Sequence, residues 1–225
     1  THNRPIARAV DDSVGRVTAA GLQILRRARG YAPRPITLPQ GGPAAAATDR
    51  SPTDRDLDGE SKRPTILAVG GHLKNVVGLG LGDRAVLSSH VGDLDTVSSV
   101  EAFRGAIDDL LGFFDVAPEL IACDLHPDYA STRRAEQLAA GLEIPLVRVQ
   151  HHHAHVAAVA AEHTLQGPVL GFSWDGTGYG PDGTVWGGEA LVCEGASMRR
   201  IAHWRTFPLP GGDRVIRWAP GAPIG

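Results

Sequence analysis

The sequence predicts an α/β protein, and three features of the 225-residue chain support that prediction. From residue 65 onward, short apolar segments of strand length alternate with longer segments that have a helical period. In residues 100–114 the apolar side chains recur three and four positions apart, as on one face of a helix. Pro181-Asp182-Gly183 then separates two apolar segments and predicts a hairpin turn. Strands that alternate with helices, followed by a hairpin, are typical of an α/β domain.

The first 64 residues fall into two parts of different character. Residues 1–38 contain strand-like segments at 6–10, 13–17 and 22–25, and they are too few to bury a core of their own, so we expect the end of a domain here. Residues 39–64 have no hydrophobic period and almost no bulky apolar side chain. Such a segment cannot offset its ordering entropy, which predicts a disordered linker.

The elements after residue 64 can be placed one by one. A helix is predicted at 131–140, with Asp128 or Ser131 as its cap, because both residue types accept hydrogen bonds from free N–H groups. A second helix follows the histidine-rich segment, from about 152 to 163. The other predicted elements are a helix at 100–114 and strands at 65–69, 85–88, 120–125, 144–149, 169–174 and 184–192.

The composition bears on partners and compartment. A formal net charge of -3 and a pI near 6.3 give no reason to expect a DNA-binding or membrane-binding surface. No apolar stretch approaches the roughly 20 residues of a membrane span. Cys123 and Cys193 lie in separate apolar segments and predict buried thiols of a reducing compartment, so we expect a cytoplasmic protein. Because the chain begins at Thr1 inside a strand-like pattern, we also expect a fragment.

The histidine-rich segment at 151–155 is the candidate metal site. His151 and His155 are four residues apart, so on a helix both imidazoles can bind one ion. Asp175 ends an apolar strand, where a carboxylate would otherwise be costly, and is the candidate third ligand. His152 and His153 are rotated off this face; we expect His152 to pack or cap, and His153 to meet solvent or substrate. The alternative is a histidine-rich helix start that holds no ion.

A glycine-rich segment after the same strand is the candidate phosphate site. We interpret it as a turn whose backbone N–H groups point into one concavity and favour an anion. Asp175 could instead hold a divalent ion that accompanies a phosphate, and the alternative to both is a tight hairpin with turn glycines. The candidate nucleotide-binding residues here are Gly176, Thr177, Gly178, Tyr179 and Gly180.

A second glycine-rich turn, at 70–75, contains Lys74, which reaches a phosphate or is an ordinary surface lysine. His126 and Asp128 follow a buried strand at the end where α/β proteins place ligands, although a helix-entry turn explains them equally well. Asp93 is a weak candidate in another polar turn. Glu189 is interpreted as an exposed strand residue rather than a site acid.

These segments, in this order, resemble the HypF family of hydrogenase maturation carbamoyltransferases. The resemblance implies that residues 1–38 are the C-terminal strands of a YrdC-like α/β domain. It implies that residues 65–212 are the first half of a transferase domain with the actin-like ATPase (ribonuclease-H-like) fold, and that 213–225 are a divergent or truncated tail. The matching segments are 2–6, 11–14, 25–33, 73–75, 90–94, 124–129, 151–155, 174–180 and 186–189.

The resemblance also implies an activity. Carbamoyl phosphate and ATP, with Mg, would form carbamoyl-adenylate, whose carbamoyl group passes to the C-terminal cysteine of a HypE-like acceptor protein. A divalent metal, zinc or iron, would be held by His151, His155 and Asp175, and no catalytic residue is assigned. The expected fragment would be weakly active or inactive by itself. Two alternatives stay open: a non-catalytic metal- or nucleotide-binding remnant, and a small-molecule O-carbamoyltransferase, in which the YrdC-like part would follow rather than precede the transferase domain.

Overall fold

The computed structural model describes residues 11–19, 21–38 and 63–208. The strand predicted at 6–10, nearly all of the predicted linker at 39–64 and the predicted tail at 213–225 lie outside these residues. The strands are β1 (Val14–Thr18), β2 (Gly21–Arg26), β3 (Ile36–Thr37), β4 (Ile66–Ala68), β5 (Gly78–Leu81), β6 (Arg84–Leu87), β7 (Leu120–Asp124), β8 (Leu146–Val149), β9 (Val169–Tyr179), β10 (Val185–Glu194) and β11 (Ser197–His203). The helices are α1 (Val97–Phe114), α2 (Ala130–Leu142) and α3 (His151–Glu162).

A six-stranded sheet with the order β3-β6-β5-β4-β7-β8 forms the larger layer. Its strands β4, β7 and β8 are parallel, whereas β5 lies between β4 and β6 and pairs antiparallel with both. Helices α1 and α2 supply the crossovers that parallel neighbours require. This mixed sheet with its helices confirms the predicted α/β class. A separate antiparallel hairpin joins β1 to β2.

The core lies between the six-stranded sheet and helices α1 and α2. Leu67 of β4 and Ile121 of β7 are fully buried, and they belong to the same apolar cluster as Phe103 and Ile107 of α1. Phe103 and Ile107 are four residues apart, so they share one face of the helix. The helical period read from the sequence is therefore the packing face of α1.

Helix α1 begins at Val97, three residues before the predicted start. Thr96 is its N-cap, and the Thr96 hydroxyl accepts a hydrogen bond from the backbone N–H of Ser99 while the Ser99 hydroxyl binds the Thr96 backbone in return. Such a reciprocal capping box satisfies two N–H groups that a helix start leaves free.

The predicted cap of α2 is wrong. Tyr129 is the N-cap residue and makes no side-chain capping bond. Ser131 is fully buried inside the helix, and the exposed Asp128 forms an ion pair with Arg133 at 2.9 Å instead of binding the helix N–H groups. The backbone N–H of Ala130, the first residue of the helix, instead donates to Nδ1 of His72 at 3.4 Å.

Three short strands, β3, β5 and β11, have no counterpart in the sequence prediction. β5 is Gly78-Leu79-Gly80-Leu81, and its glycines weaken any strand pattern. β3 pairs with β6, so residues 36 and 37 belong to the same sheet as the segment after the predicted linker. The assignment of residues 1–38 to a YrdC-like domain stays a prediction.

Strands β9, β10 and β11 form a second, antiparallel sheet. The reversal between β9 and β10 lies at the predicted hairpin turn, where Gly183 has a φ of 74° and its N–H donates to the carbonyl of Gly180 at 3.0 Å. β9 extends to Tyr179, however, and Gly178 pairs with Trp186 of β10. The interpretation of residues 176–179 as a turn is therefore wrong, because cross-strand pairing keeps this segment extended.

The parallel strands β4, β7 and β8 place their carboxyl ends at one edge of the larger sheet. Open α/β sheets bind ligands at this edge. The segments that leave it begin at residues 69, 125 and 150, and the last of them leads directly into α3. Within the described ranges, no helix is long and apolar enough to span a bilayer.

Candidate metal and nucleotide site

The histidines stand at the first turn of α3, immediately after β8. Gln150 is the N-cap, and its side-chain oxygen accepts a hydrogen bond from the backbone N–H of His153 at 2.9 Å. The cap fixes the direction in which the helix leaves the sheet. His151 and His155 consequently point the same way, one helical turn apart, as the sequence predicts.

Three side chains converge at this point, and they are the three predicted metal ligands. Nε2 of His151 lies 2.8 Å from Oδ2 of Asp175, and Nε2 of His155 lies 3.4 Å from the same oxygen. The two Nε2 atoms are 3.2 Å apart. Among the described residues, this is the one group of three or more His, Cys, Asp or Glu side chains arranged to hold a metal ion.

Asp175 reaches the histidines because β9 is irregular at this position. The pairing of β9 with β10 shifts its register between Trp186 and Gly188, so residues 175–177 oppose a single residue of β10. Such a bulge redirects side chains locally. The backbone N–H of Gly176 also donates to Oδ1 of Asp175 at 2.7 Å, which leaves Oδ2 to face the imidazoles.

The imidazole of His151 and the carboxylate of Asp175 each stabilise the charged form of the other. Hydrogen bonds to Asp124 and then to Asp175 raise the pKa of His151 to about 9 from its ordinary value of 6.5. Hydrogen bonds from His151 and His155 hold the pKa of Asp175 far below its usual range. His151 therefore carries a proton at neutral pH, and an ion that binds its Nε2 would have to displace that proton.

Asp124 is a site residue that the sequence reasoning did not single out. Its Oδ2 accepts a hydrogen bond from Nδ1 of His151 at 2.9 Å, and its side chain is only 6% exposed. The sequence does contain a signal for Asp124, because a carboxylate at the end of the apolar strand β7 is costly unless it has a partner. The same argument identified Asp175.

The other two histidines of the segment are structural. His152 is fully buried and packs near the ring of Trp186, as predicted, and burial lowers its pKa. The prediction that His153 meets solvent or substrate is wrong, because His153 is 8% exposed and its Nε2 lies 3.1 Å from the carbonyl oxygen of Gly195.

The glycine-rich segment differs from the anion-binding turn that the sequence suggests. Gly176, Gly178 and Gly180 all lack a positive φ, so they do not form the concavity of converging N–H groups. Gly178 and Gly180 instead lie so close to neighbouring side chains that a Cβ would not fit. A Cβ on Gly180 would lie 2.1 Å from Nε1 of Trp186. Above Gly176 there is open space. Thr177 and Tyr179 lie on the same strand, and the nucleotide-binding role of this segment stays a prediction.

Lys74 adopts a left-handed conformation with a φ of 50°. Its backbone N–H donates to Oδ1 of Asp93 at 2.7 Å, which gives Asp93 a role in shaping the turn. The neighbouring Asn75 is 1% exposed and donates its side-chain amide to the carbonyl oxygen of Val69 at 2.8 Å. The turn after β4 is therefore rigid, and Lys74 stands on it as an exposed cation.

A row of rings connects the segments at this edge of the sheet. His72, from the turn after β4, stacks on Tyr129, and Tyr129 stacks on His126 with ring centroids 4.2 Å apart. His126 meets the edge of the Tyr179 ring at 5.3 Å. The row places the ends of β4, β7 and β9 beside one another, as a site assembled from several strand ends requires.

Glu189 is not the exposed strand residue that the sequence suggested. It is 5% exposed, accepts a hydrogen bond from the backbone N–H of Gly187 at 3.0 Å and lies 3.4 Å from Nη1 of Arg200. The Arg200 guanidinium also covers the Trp186 ring at 4.1 Å. The pair of a buried carboxylate and a partly exposed guanidinium connects β10 to β11.

An open groove of about 560 Å³ runs from the histidine–carboxylate cluster between α3 and β9. His155 and Asp175 stand at one end of it. Its walls are apolar and include Val159, Phe172 and Trp174, which are 53%, 62% and 69% exposed. The cluster is therefore accessible from this side.

Fold and site together define an α/β protein with a histidine–carboxylate cluster at the carboxyl edge of its parallel strands. Residues 61–162 match the family model "HypF Kae1-like domain", and residues 171–220 match "Carbamoyltransferase, Kae1-like Domain, second subdomain". The two matches together cover more than half of the chain. The chain belongs to the HypF family.

Relatives and solved structures agree with this assignment. The chain is 45% identical to carbamoyltransferase HypF2 of Cupriavidus necator over 96% of its length and 24% of the relative's, and 44% identical to carbamoyltransferase HypF of Synechocystis over 96% and 25%. A crystal structure of full-length HypF in the phosphate- and nucleotide-bound form matches with a TM-score of 0.79 and 42% identity, over 95% of this chain and 25% of that one. The chain thus spans about a quarter of the length of these relatives.

Proposed function

We propose that this chain forms the metal- and nucleotide-binding part of a carbamoyltransferase of hydrogenase maturation. The observation that carries the proposal is the convergence of His151, His155 and Asp175 at the edge of the sheet where α/β proteins bind ligands. Membership of a family whose relatives are named carbamoyltransferases supports the reaction class.

The three donor atoms fit a divalent metal ion. Zinc–ligand bonds of about 2.0–2.1 Å in a tetrahedral arrangement place neighbouring ligand atoms about 3.3 Å apart. The separations between His151, His155 and Asp175 are 2.8, 3.2 and 3.4 Å. Two imidazoles and one carboxylate suit zinc or iron, and they leave a coordination position for a further ligand.

Each residue of the cluster has a definite task in this proposal. His151 and His155 present Nε2 lone pairs, and Asp175 supplies a negative charge whose second oxygen is fixed by the N–H of Gly176. When bound, the metal would supply Lewis-acid polarisation of a carbonyl or phosphoryl oxygen.

The nucleotide is proposed to lie along β9 and the turn after β4. Open space above Gly176 allows a ligand to approach the backbone closely. Thr177 offers a hydroxyl, and Lys74 offers a cation on a rigid turn for a phosphate. A HypF relative is known in a phosphate- and nucleotide-bound form, which supports a nucleotide as a ligand. We propose that this nucleotide is ATP, with Mg.

The proposed transfer moves a carbamoyl group from an adenylate to a thiol. The thiolate of the C-terminal cysteine of a HypE-like acceptor attacks the carbamoyl carbon of carbamoyl-adenylate. A carbon–sulfur bond forms, the bond from that carbon to the phosphate oxygen of AMP breaks, and AMP leaves with the electron pair. The thiol proton is released to solvent. The adenylate would form from carbamoyl phosphate, water and ATP, with release of inorganic phosphate and pyrophosphate.

Metal analysis tests the proposal directly. We expect the chain, purified without a histidine tag, to bind close to one equivalent of zinc or iron, and His151→Ala and His155→Ala to lose it. His163→Ala is the matched control, because His163 is exposed at the end of the same helix. Absence of metal binding by the unmodified chain, or retention by both cluster variants, would contradict the proposal.

An activity assay separates an enzyme from a binding remnant. Because the chain spans about a quarter of its relatives' length, we expect weak or no carbamoyl-phosphate-dependent cleavage of ATP to AMP by the chain itself. Robust turnover by the isolated chain would refute that expectation. Metal binding by the chain, together with activity lost on the same two substitutions in a full-length HypF, would favour the enzyme over the non-catalytic remnant.

A further inference from the structure

A buried carboxylate lies directly behind one of the proposed metal ligands. Asp124 Oδ2 accepts a hydrogen bond from His151 Nδ1 at 2.9 Å, on the opposite side of the ring from Asp175. We propose that Asp124 is a positioning residue that keeps the proton of His151 on Nδ1, so that Nε2 presents its lone pair to the ion. The inference rests on the proposed metal site.

Strand pairing fixes the distance between the two residues. Asp124 is paired with Val149 in the parallel ladder of β7 and β8, and His151 follows Val149 by two residues. The backbone N–H of Leu125 donates to the carbonyl oxygen of Val149 at 2.9 Å, just past Asp124. Thr132 of α2 donates its hydroxyl to the Asp124 carbonyl oxygen at 3.2 Å, which ties the strand end to the helix.

Both carboxylate oxygens of Asp124 act as acceptors. Oδ1 accepts the backbone N–H of His126 at 2.8 Å, while Oδ2 accepts from His151. A carboxylate can accept on both sides, whereas an asparagine has one accepting oxygen and one donating nitrogen. If the amide nitrogen of an asparagine at 124 faced His126, its N–H would meet the backbone N–H of that residue. If it faced His151, it would donate to Nδ1 and favour the proton on Nε2, where the ion should bind.

The environment makes this acceptor strong. The Asp124 side chain is 6% exposed, so water competes little for its oxygens. Carboxylates that accept from the second nitrogen of a metal-bound histidine fix its tautomer and raise its basicity, and their removal typically costs 10–100-fold in metal affinity. Burial of a carboxylate is costly unless hydrogen bonds such as those from His151 and His126 compensate for the lost hydration.

The test compares Asp124→Asn with Asp128→Asn. Both remove one carboxylate near the carboxyl end of β7, but Asp128 is exposed and pairs with Arg133. Zinc affinity is measured by competition with a chromophoric chelator. We expect a loss of about 10–100-fold for Asp124→Asn and unchanged affinity for Asp128→Asn. Equal affinities of Asp124→Asn and the unmodified chain would overturn the inference while the metal site itself stands.

Two further readouts separate positioning from a merely structural role. Asp124→Asn should reduce the increase in melting temperature that zinc produces, whereas a structural role would lower the melting temperature with and without zinc by the same amount. In the zinc-loaded unmodified chain, long-range ¹H–¹⁵N spectra should show His151 protonated at Nδ1. Ligation through Nδ1 would overturn the inference even if Asp124→Asn did not fold. Failure of the unmodified chain to bind zinc would remove the proposed function and this inference together.

Discussion

The backbone of Gly178 lies directly against the ring of His152. A Cβ built on residue 178 would be 2.5 Å from Cε1 and 2.8 Å from Nδ1 of that ring, and 3.2 Å from the Cβ of His151. His152 is fully buried and cannot move aside. The contact therefore sets the spacing between β9, which carries Asp175, and α3, which carries the other two proposed ligands.

Gly178→Ala should destabilise the protein and weaken metal binding. The added methyl group must push α3 away from β9, and overpacking of this kind typically costs about 1–3 kcal/mol in the free energy of unfolding. The measurement is chemical denaturation of the metal-free chain, together with zinc affinity.

Gly176→Ala is the matched control for this substitution. A Cβ at residue 176 would meet no atom within 4 Å, so we expect a change within about 0.5 kcal/mol. If Gly178→Ala were as stable as Gly176→Ala, the close packing of β9 on α3 would not be a feature of the protein.

The sequence predicts the three side chains that converge at the candidate metal site because the evidence for them is local. His151 and His155 are joined by helical periodicity alone, and Asp175 is marked by the cost of a charge at the end of an apolar strand. The role of Gly178 could not be predicted in the same way. Glycine in a sequence signals either an unusual φ or a close neighbour, and only the fold shows that the neighbour is His152.

Long-range pairing explains the other differences. The bulge opposite Asp175 depends on the register of β9 and β10, and the burial of Glu189 depends on Arg200 of the following strand. Neither leaves a local pattern in the sequence. By contrast, α1 was predicted nearly to its ends because Phe103 and Ile107 repeat at the helical period.

Arg200→Met should destabilise the second sheet. The substitution leaves the Glu189 carboxylate, which is 5% exposed, without its cationic partner and removes the guanidinium from the Trp186 ring. A buried carboxylate that loses its cationic partner costs on the order of 3 kcal/mol. Thermal and chemical denaturation would measure it, with Arg199→Met, at an exposed position of the same strand, as the control. Equal stability of the two variants would show that the pair contributes little.

The exposed apolar face of β9 should make the isolated chain self-associate. Leu170, Phe172 and Trp174 are 54%, 62% and 69% exposed on one face of the strand, and contiguous apolar surface of this kind drives association. We expect Phe172→Lys to shift sedimentation profiles toward the monomer. Phe113→Lys is the control, because Phe113 is 73% exposed on α1, away from this face. An equal effect of both substitutions would mean that general solubility, rather than this face, governs association.

The stability of the metal-free chain should fall as the pH rises from about 6.5 to about 9. The folded protein raises the pKa of His151 from 6.5 to about 9, chiefly through its hydrogen bonds to Asp124 and Asp175. Protonated His151 therefore stabilises the fold fully below pH 6.5, and this contribution is lost as the pH passes through the folded pKa. At about 1.4 kcal/mol for each pH unit, the contribution is on the order of 3 kcal/mol.

His151→Gln should abolish this dependence. The free energies of unfolding of the two proteins, measured in the presence of a chelator, should differ most below pH 6.5 and converge near pH 9, whereas His163→Gln should follow the unmodified chain. Zinc affinity should change in the opposite direction and rise with pH over the same range, because the ion competes with the proton for His151. A stability difference that widens with pH would show that His151 is neutral in the folded protein and that the two carboxylates do not hold its proton.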